Sequence, residues 1–377
     1  MSYARLLDRT FITDRLFDCC SPASIFCIGR TCKIARNAVQ FYVKRTFDIN
    51  DHLHRFVHNP IEFRSMLDRT GAIISGSNAL QFLNRKTWPE SDLDLYVYKP
   101  NYKEVGRWLQ DNAGFSYTYR PFHLQAQNFA ETDADEPMYE NDTICGVFEF
   151  RSNEQQDGTH RIIQVIVALK SPMDSILKFH STVVMNVISA RTAYSLYPRA
   201  TFEESRALVC NPSMDILHDA FRKYAARGYQ IIANLSLDDV RSPVCSLRTS
   251  TRWADDNMAW TLPLNMEGVV TDRLSDNCPR LEFDPISMNG WEFVVSQFGV
   301  ASVICDCTYT SVLRYSYTTP SKFLDFLRPI FNGQSRVESD VRRSNLNERY
   351  WNWYDFQLPG WRRKFLEDNK ITRESLK

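Results

Sequence analysis

No stretch of the chain approaches the ~18 uninterrupted apolar residues of a membrane-spanning helix. Neither sign of charge is in excess, with 45 Lys and Arg against 45 Asp and Glu, so nucleic-acid or anionic-membrane binding would have to be local. The opening "MSYARLLDRTFITDRLFDCC" is charged every few residues, which fits neither a signal peptide nor a transit peptide, and a cytoplasmic or nuclear protein is expected. The ten cysteines form no repeated CxxC couple and no histidines follow at zinc spacing. They read as buried reduced thiols, with Cys305 and Cys307 on one face of a strand. There is no GxSxG, P-loop or GxGxxG, no internal repeat and no low-complexity tract.

What is present is apolar residue in quantity. At 377 residues and 44% hydrophobic, the chain can fill one large or two medium cores. In "CSPASIFCIGRTCKIARNAVQFYVKRTF", Ser21 and Pro22 start a helix, and Ile25, Ile28, Cys32, Ala35 and Val39 recur at helical spacing as one stripe. Ile12, Leu16 and Phe17 mark a shorter helix before it. So few residues make a marginal unit, which should dock on a neighbour or bind a partner.

An α/β stretch follows: strand "GAIIS", helix "NALQFLN", strand "DLDLYVY", helix "YKEVGRWLQDNAG", an acidic loop at residues 131–142, and the strands "TICGVFEFRS" and "HRIIQVIVAL" as a hairpin. Ser171-Pro172 begins what reads as a long helix through Ile176, Phe179, Val183, Val187 and Ile188, and another carries Ile216, Leu217, Phe221 and Tyr224 up to Gly228. Strand-like segments, "QIIANLSL", "MAWTLPL", "WEFVVSQFGVASVICDC" and "VLRYSY", precede a late helix, "SKFLDFLRPIF". The expected fold is α+β: a small mixed sheet flanked by helices, with an N-terminal helical segment at 1–60, a central domain at 61–200 and a C-terminal mixed α/β region at 201–377.

The chemistry concentrates in "IISGSNALQFLNRKTWPESDLDLYV". Alternation along a strand puts Asp92 and Asp94 on one face, where two close carboxylates attract a hard cation such as magnesium. Gly76-Ser77 sits between a strand and a helix start, where free backbone N–H groups and the helix dipole favour an anion. Together the two would hold a metal–nucleotide complex.

This pattern of apolar strand, Gly-Ser, helix and Asp-x-Asp resembles the nucleotidyltransferase superfamily typified by DNA polymerase β, over about residues 70–190. The resemblance implies Gly76 and Ser77 as nucleotide-binding residues, Asp92 and Asp94 as catalytic ligands of Mg2+ or Mn2+, and a nucleoside triphosphate whose α-phosphate is attacked in line. The family's third carboxylate comes from a later adjacent strand. Here that strand, "RIIQVIVAL", offers Gln164, which is neutral and accepts no proton near pH 7, and Glu149 in the partner strand is the substitute.

A second likeness lies in "LFDCCSPASIFCIGRTCKIARNAV", which resembles the centre of an F-box through Leu16, Ser21-Pro22, Ile25, Ile28, Arg30 and Cys32 but lacks the leading Leu-Pro. It implies a Skp1-type adaptor of a ubiquitin ligase as partner. The combination also resembles a group of fungal proteins with no assigned reaction. Two readings therefore stand: a nucleotidyltransferase acting on a protein or RNA acceptor, and a catalytically inactive nucleotidyltransferase scaffold recruiting substrates through its F-box-like helices. Among weaker signals, "NERYWNWYDFQLPGWRRKF" interleaves aromatic and basic residues, but Trp351, Tyr354 and Leu358 are at packing spacing, and His180 reads as a core histidine within an apolar helix.

Overall fold

Four of the first helices begin where a side chain satisfies one of their first N–H groups. In the computed structural model, which describes residues 10–119, 126–134, 143–153, 159–210, 217–271, 281–344 and 352–369, Ser21 accepts from the Ser24 amide at the start of one helix and Cys32 Sγ from the Ala35 amide at the start of the next. The expected single stripe from Ile25 to Val39 is therefore broken between Arg30 and Cys32. In chain order the elements are α1 (Thr10–Asp18), α2 (Pro22–Gly29), α3 (Lys33–Thr46), α4 (Ile49–Leu53), α5 (Pro60–Thr70), β1 (Ile73–Ser75), α6 (Gly76–Asn84), β2 (Leu93–Tyr98), α7 (Tyr102–Asp111), β3 (Phe115–Thr118), β4 (Ile144–Ser152) and β5 (Ile162–Ala168). There follow α8 (Pro172–Leu177), β6 (Asn186–Ile188), β7 (Thr192–Ser195), β8 (Arg206–Leu208), α9 (Leu217–Ala226), β9 (Gln230–Ile232), β10 (Ser250–Trp253), β11 (Trp260–Pro263), β12 (Gly290–Val295), β13 (Ala301–Ile304), α10 (Ser321–Ser344) and α11 (Leu358–Asp368).

The main sheet has eight strands in the order β11-β7-β6-β1-β2-β5-β4-β3. Its pairings are antiparallel except β2 with β5, so the sheet is mixed, as expected, though larger than expected. One face packs Leu93, Leu95, Val97, Ile163, Val165 and Phe148 against Phe63, Met66 and Leu67 of α5 and Val105, Trp108 and Leu109 of α7. Full burial of each such side chain contributes about 1.5–3 kcal/mol. The other face packs Ile73, Tyr96 and Ile166 against Met173, Ile176 and Leu177 of α8 and Trp291 and Phe293 of β12.

Two further expectations change. The long helix over residues 176–188 is a six-residue α8, a 3-10 turn and strand β6, because the segment reaches solvent only at the consecutive Lys178, Phe179 and His180 and so has no exposed stripe to fix a helical period. "VLRYSY" is a loop: the Asp355 carboxylate gathers the amides of Arg314 and Tyr315 and the Tyr317 hydroxyl, so these groups have no strand partner to seek. Residues 135–142 of the acidic loop, 154–158 of the hairpin turn, Ile216 and Trp351 lie outside the described residues. No described helix is long and apolar enough to cross a membrane.

The N-terminal helices are docked. Phe17, Ile25, Val39 and Tyr42 form their core, and Arg85, the left-handed residue ending α6, reaches into it. Its guanidinium donates to the Phe17 carbonyl at 2.9 Å, the Tyr42 hydroxyl at 2.9 Å and the Cys20 carbonyl at 2.7 Å. Glu203 accepts from the Ser21 hydroxyl and the Ala23 amide, and Phe26 meets Trp260 edge to face.

Candidate functional site

Backbone register assembles a row of polar residues across neighbouring strands. Ser75 of β1 pairs with Asp94 of β2, Asp94 with Gln164 of β5, and Gln164 with Glu149 of β4. Paired residues share a sheet face, here the one that carries Tyr96 and Ile166. Asp92, just before β2, joins the row through its Oδ2, which accepts from Gln164 Nε2 at 3.1 Å.

The sharp turn from β1 into α6 sets the distance between the turn and the carboxylates. Gly76 has φ +66°, which L side chains rarely adopt, and a Cβ there would stand 2.6 Å from Asp94 Oδ2. Glycine thus lets the Asp94 carboxylate lie against the start of α6. Ser75 occupies the N-cap without a side-chain bond to the helix, donating instead to the Asn186 carbonyl at 2.6 Å. The first-turn amides, Ser77 among them, consequently have no capping side chain.

Burial, and then the nearby Asp92, push the Asp94 carboxyl up to about 7, an effect that Lys223 opposes. A carboxyl with so high a pKa lacks a compensating cation, the condition a bound metal ion relieves. Asp92 and Asp94 fit one such ion, since magnesium commonly takes one or two carboxylates and completes its shell with phosphate oxygens and water. Glu149 does lie beside Gln164, but it is one strand further out, about 10 Å from Asp94 by strand spacing. Its carboxylate accepts from Arg151 Nε at 2.7 Å. Among the described residues no three His, Cys, Asp or Glu side chains converge on a metal position.

Three residues that the sequence reading did not single out, Lys223, Arg227 and Trp88, complete the surroundings together with Tyr224 of the predicted helix. Lys223, on α9, is electrostatically coupled to both aspartates; burial and Arg227 lower its pKa although its side chain reaches solvent. One turn on, the Arg227 guanidinium stacks on Trp88 at 3.6 Å from the ring centroid. Tyr224, between them in sequence, is buried and its hydroxyl is pushed up to about 12. Their helical spacing is legible in the sequence, but their approach to strands more than 100 residues earlier is not.

His180 lies in the turn after α8 rather than inside a helix, with its ring 5.4 Å from Phe221 and 5.8 Å from Tyr224. Burial lowers its pKa to about 4, so it is neutral near pH 7 and packs as an aromatic. His52, likewise lowered to about 4 by burial, shares a 2.8 Å hydrogen bond with Asn78 Oδ1 of α6. Cys305 and Cys307 are not thiolates near neutrality, because burial pushes both thiols up, Cys305 to about 12. No family model, curated protein or solved structure matches this chain.

Proposed function

We propose that the chain is a nucleotidyltransferase-like protein that binds a nucleoside triphosphate with one divalent cation. The observation that carries the reading is the contact of Gly76 with Asp94, which sets an uncapped helix N-terminus beside a cation-deficient carboxylate pair. In such a site the α6 amides would hold phosphate oxygens and Asp92 and Asp94 the cation, which would supply charge neutralisation for attack on the α-phosphate. The parallel neighbour of β2 is where the resembling family carries its third carboxylate, and there this chain has Gln164, whose amide already donates to Asp92. Positioning of one metal–nucleotide by this chain's own residues is therefore better supported than proton removal from an acceptor.

Calorimetric titration of each nucleoside triphosphate with Mg2+ or Mn2+ tests the reading. Binding should require the metal and disappear in Asp92→Asn/Asp94→Asn; metal-independent binding, or none, would overturn it.

One observation favours the adaptor reading as a second function. Ile12 and Leu16, one turn apart on α1, are 38% and 46% exposed in the docked N-terminal unit, while Ile25 is buried in its core. Co-purification with a Skp1-type adaptor, lost on Ile12→Asp/Leu16→Asp, would support it. An unchanged elution volume in the presence of that adaptor would remove it.

A further inference from the structure

A cavity of about 50 Å³ lies where the α5–β1 turn, the β6–β7 turn and the loops around residues 284, 315 and 355 meet. Tyr98 lines it, four residues beyond Asp94 on β2 and so about 13 Å along the strand from the Asp92–Asp94 site. Most charged groups around this cavity are engaged. Asp68 holds Arg191, whose remaining terminal nitrogen donates to the Leu281 carbonyl at 2.6 Å. Asp284 accepts from the Ser189 hydroxyl and the Ile286 amide, and Asp355 from the amides of Arg314 and Tyr315 and the Tyr317 hydroxyl. Three donors are left over. Arg314 uses one terminal nitrogen on the Arg69 carbonyl, and its Nε and Nη1 have no acceptor among the described residues. Tyr315 is 5% exposed, and its hydroxyl likewise has no partner among them. The hydroxyl end of its ring rests on Gly71, where a Cβ would stand 2.5 Å from Cε1 and 3.2 Å from Cζ, and both residues line the cavity. The Trp353 indole N–H, also in the lining, is the third.

We infer that this cavity binds a small monocarboxylate, whose oxygens take the free N–H groups of Arg314, the Tyr315 hydroxyl and the Trp353 indole. Donors without acceptors select an anionic oxygen ligand, and a planar guanidinium meets a carboxylate in paired hydrogen bonds. The Arg314 guanidinium lies over the Tyr315 ring at 4.8 Å from its centroid, which keeps two of the donors together. One guanidinium balances one negative charge. A dianion such as phosphate would also meet Asp284 and Asp355, which line the cavity and make no ion pair among the described residues. The volume holds about three to five water-sized groups, the size of acetate or propionate rather than of an aromatic acid. The alkyl end of such a ligand would face Leu67, Ile73 and Ile286, apolar members of the lining.

The test is saturation-transfer NMR from the full chain to propionate, with propionamide as its neutral isostere. So small a ligand binds weakly, and a dissociation constant of about 1 mM is expected. Propionamide should bind at least tenfold more weakly, because it brings no charge to Arg314. Tyr315→Phe removes only a hydroxyl without a partner in the protein, so its unfolding midpoint should match the wild type while propionate affinity falls at least tenfold. Arg314→Gln should abolish the transfer, and Asp92→Asn/Asp94→Asn should leave it unchanged. No transfer to propionate, equal affinity in Tyr315→Phe, equal binding of propionamide, or a preference for inorganic phosphate or methylammonium would each overturn the assignment. The site does not depend on the nucleotidyltransferase reading, and either can fail while the other stands.

Discussion

Replacing Asp94 by asparagine should stabilise the protein, and the gain should grow with pH. A carboxyl held at about 7 in the folded chain against 3.8 in the unfolded one withdraws up to about 4 kcal/mol from folding once ionised, at about 1.4 kcal/mol per pH unit. Asp94 is only half-buried, and solvent screening reduces the penalty to about 1–3 kcal/mol. The sign follows from proton counting. Below 3.8 the carboxyl is protonated in both states and costs nothing. Between 3.8 and 7 the unfolded chain has released its proton while the folded chain still holds it, so stability falls as pH rises, and above 7 the penalty is constant. Asparagine is neutral throughout and shows no such slope. Urea unfolding followed by tryptophan fluorescence should find the advantage of Asp94→Asn widening by about 1–2 kcal/mol between pH 5 and pH 8. Mg2+ at ten times its dissociation constant should return about 1.4 kcal/mol to the wild type alone. An advantage equal at both pH values, or a variant less stable than the wild type at pH 8, would refute the argument that Asp94 is an under-compensated carboxyl.

Gly76→Ala should cost about 1–3 kcal/mol, from left-handed backbone strain and from displacement of the Asp94 carboxylate; the same variant should weaken Mn2+ binding at least tenfold in calorimetry. Gln164→Glu, which adds a third carboxylate beside Asp92 and Asp94, should lower the unfolding midpoint in EDTA and tighten Mn2+ binding, and a variant that does neither would place Gln164 outside the site. Arg85→Ala removes three hydrogen bonds between the body and the N-terminal helices, about 2–4 kcal/mol of local docking. Limited proteolysis should then cut within α1–α3 while amide exchange in the main sheet stays slow.

How far the sequence carries depends on whether the controlling interaction is local. β1, β2, β4 and β5 are legible because alternation and flanking turn residues act within a few positions, and so is the Gly-Ser turn. The row Ser75, Asp94, Gln164 and Glu149 is not local: it exists only once four strands pair in one register. For the same reason the role of Glu149 cannot be judged before the strand count between it and Asp94 is known. The break after Gly29 depends on a cysteine thiol serving as a helix cap, an uncommon choice that periodicity outvotes. Residues 176–188 are buried except at the consecutive Lys178, Phe179 and His180, and a run without a wet stripe at helical spacing carries no period to read.

The placing of β11 constrains how the protein is made. β7 ends at Ser195, but the strand that covers its outer edge is β11, Trp260–Pro263. At about 5–20 residues per second of synthesis, the intervening segment takes roughly 3–14 s to emerge. During that interval the growing chain presents an unpaired strand edge to other chains. Any fragment ended near residue 200 would keep that edge permanently, so a soluble recombinant version of the central region should extend through Leu264, whose amide still bonds the Arg191 carbonyl at 2.8 Å.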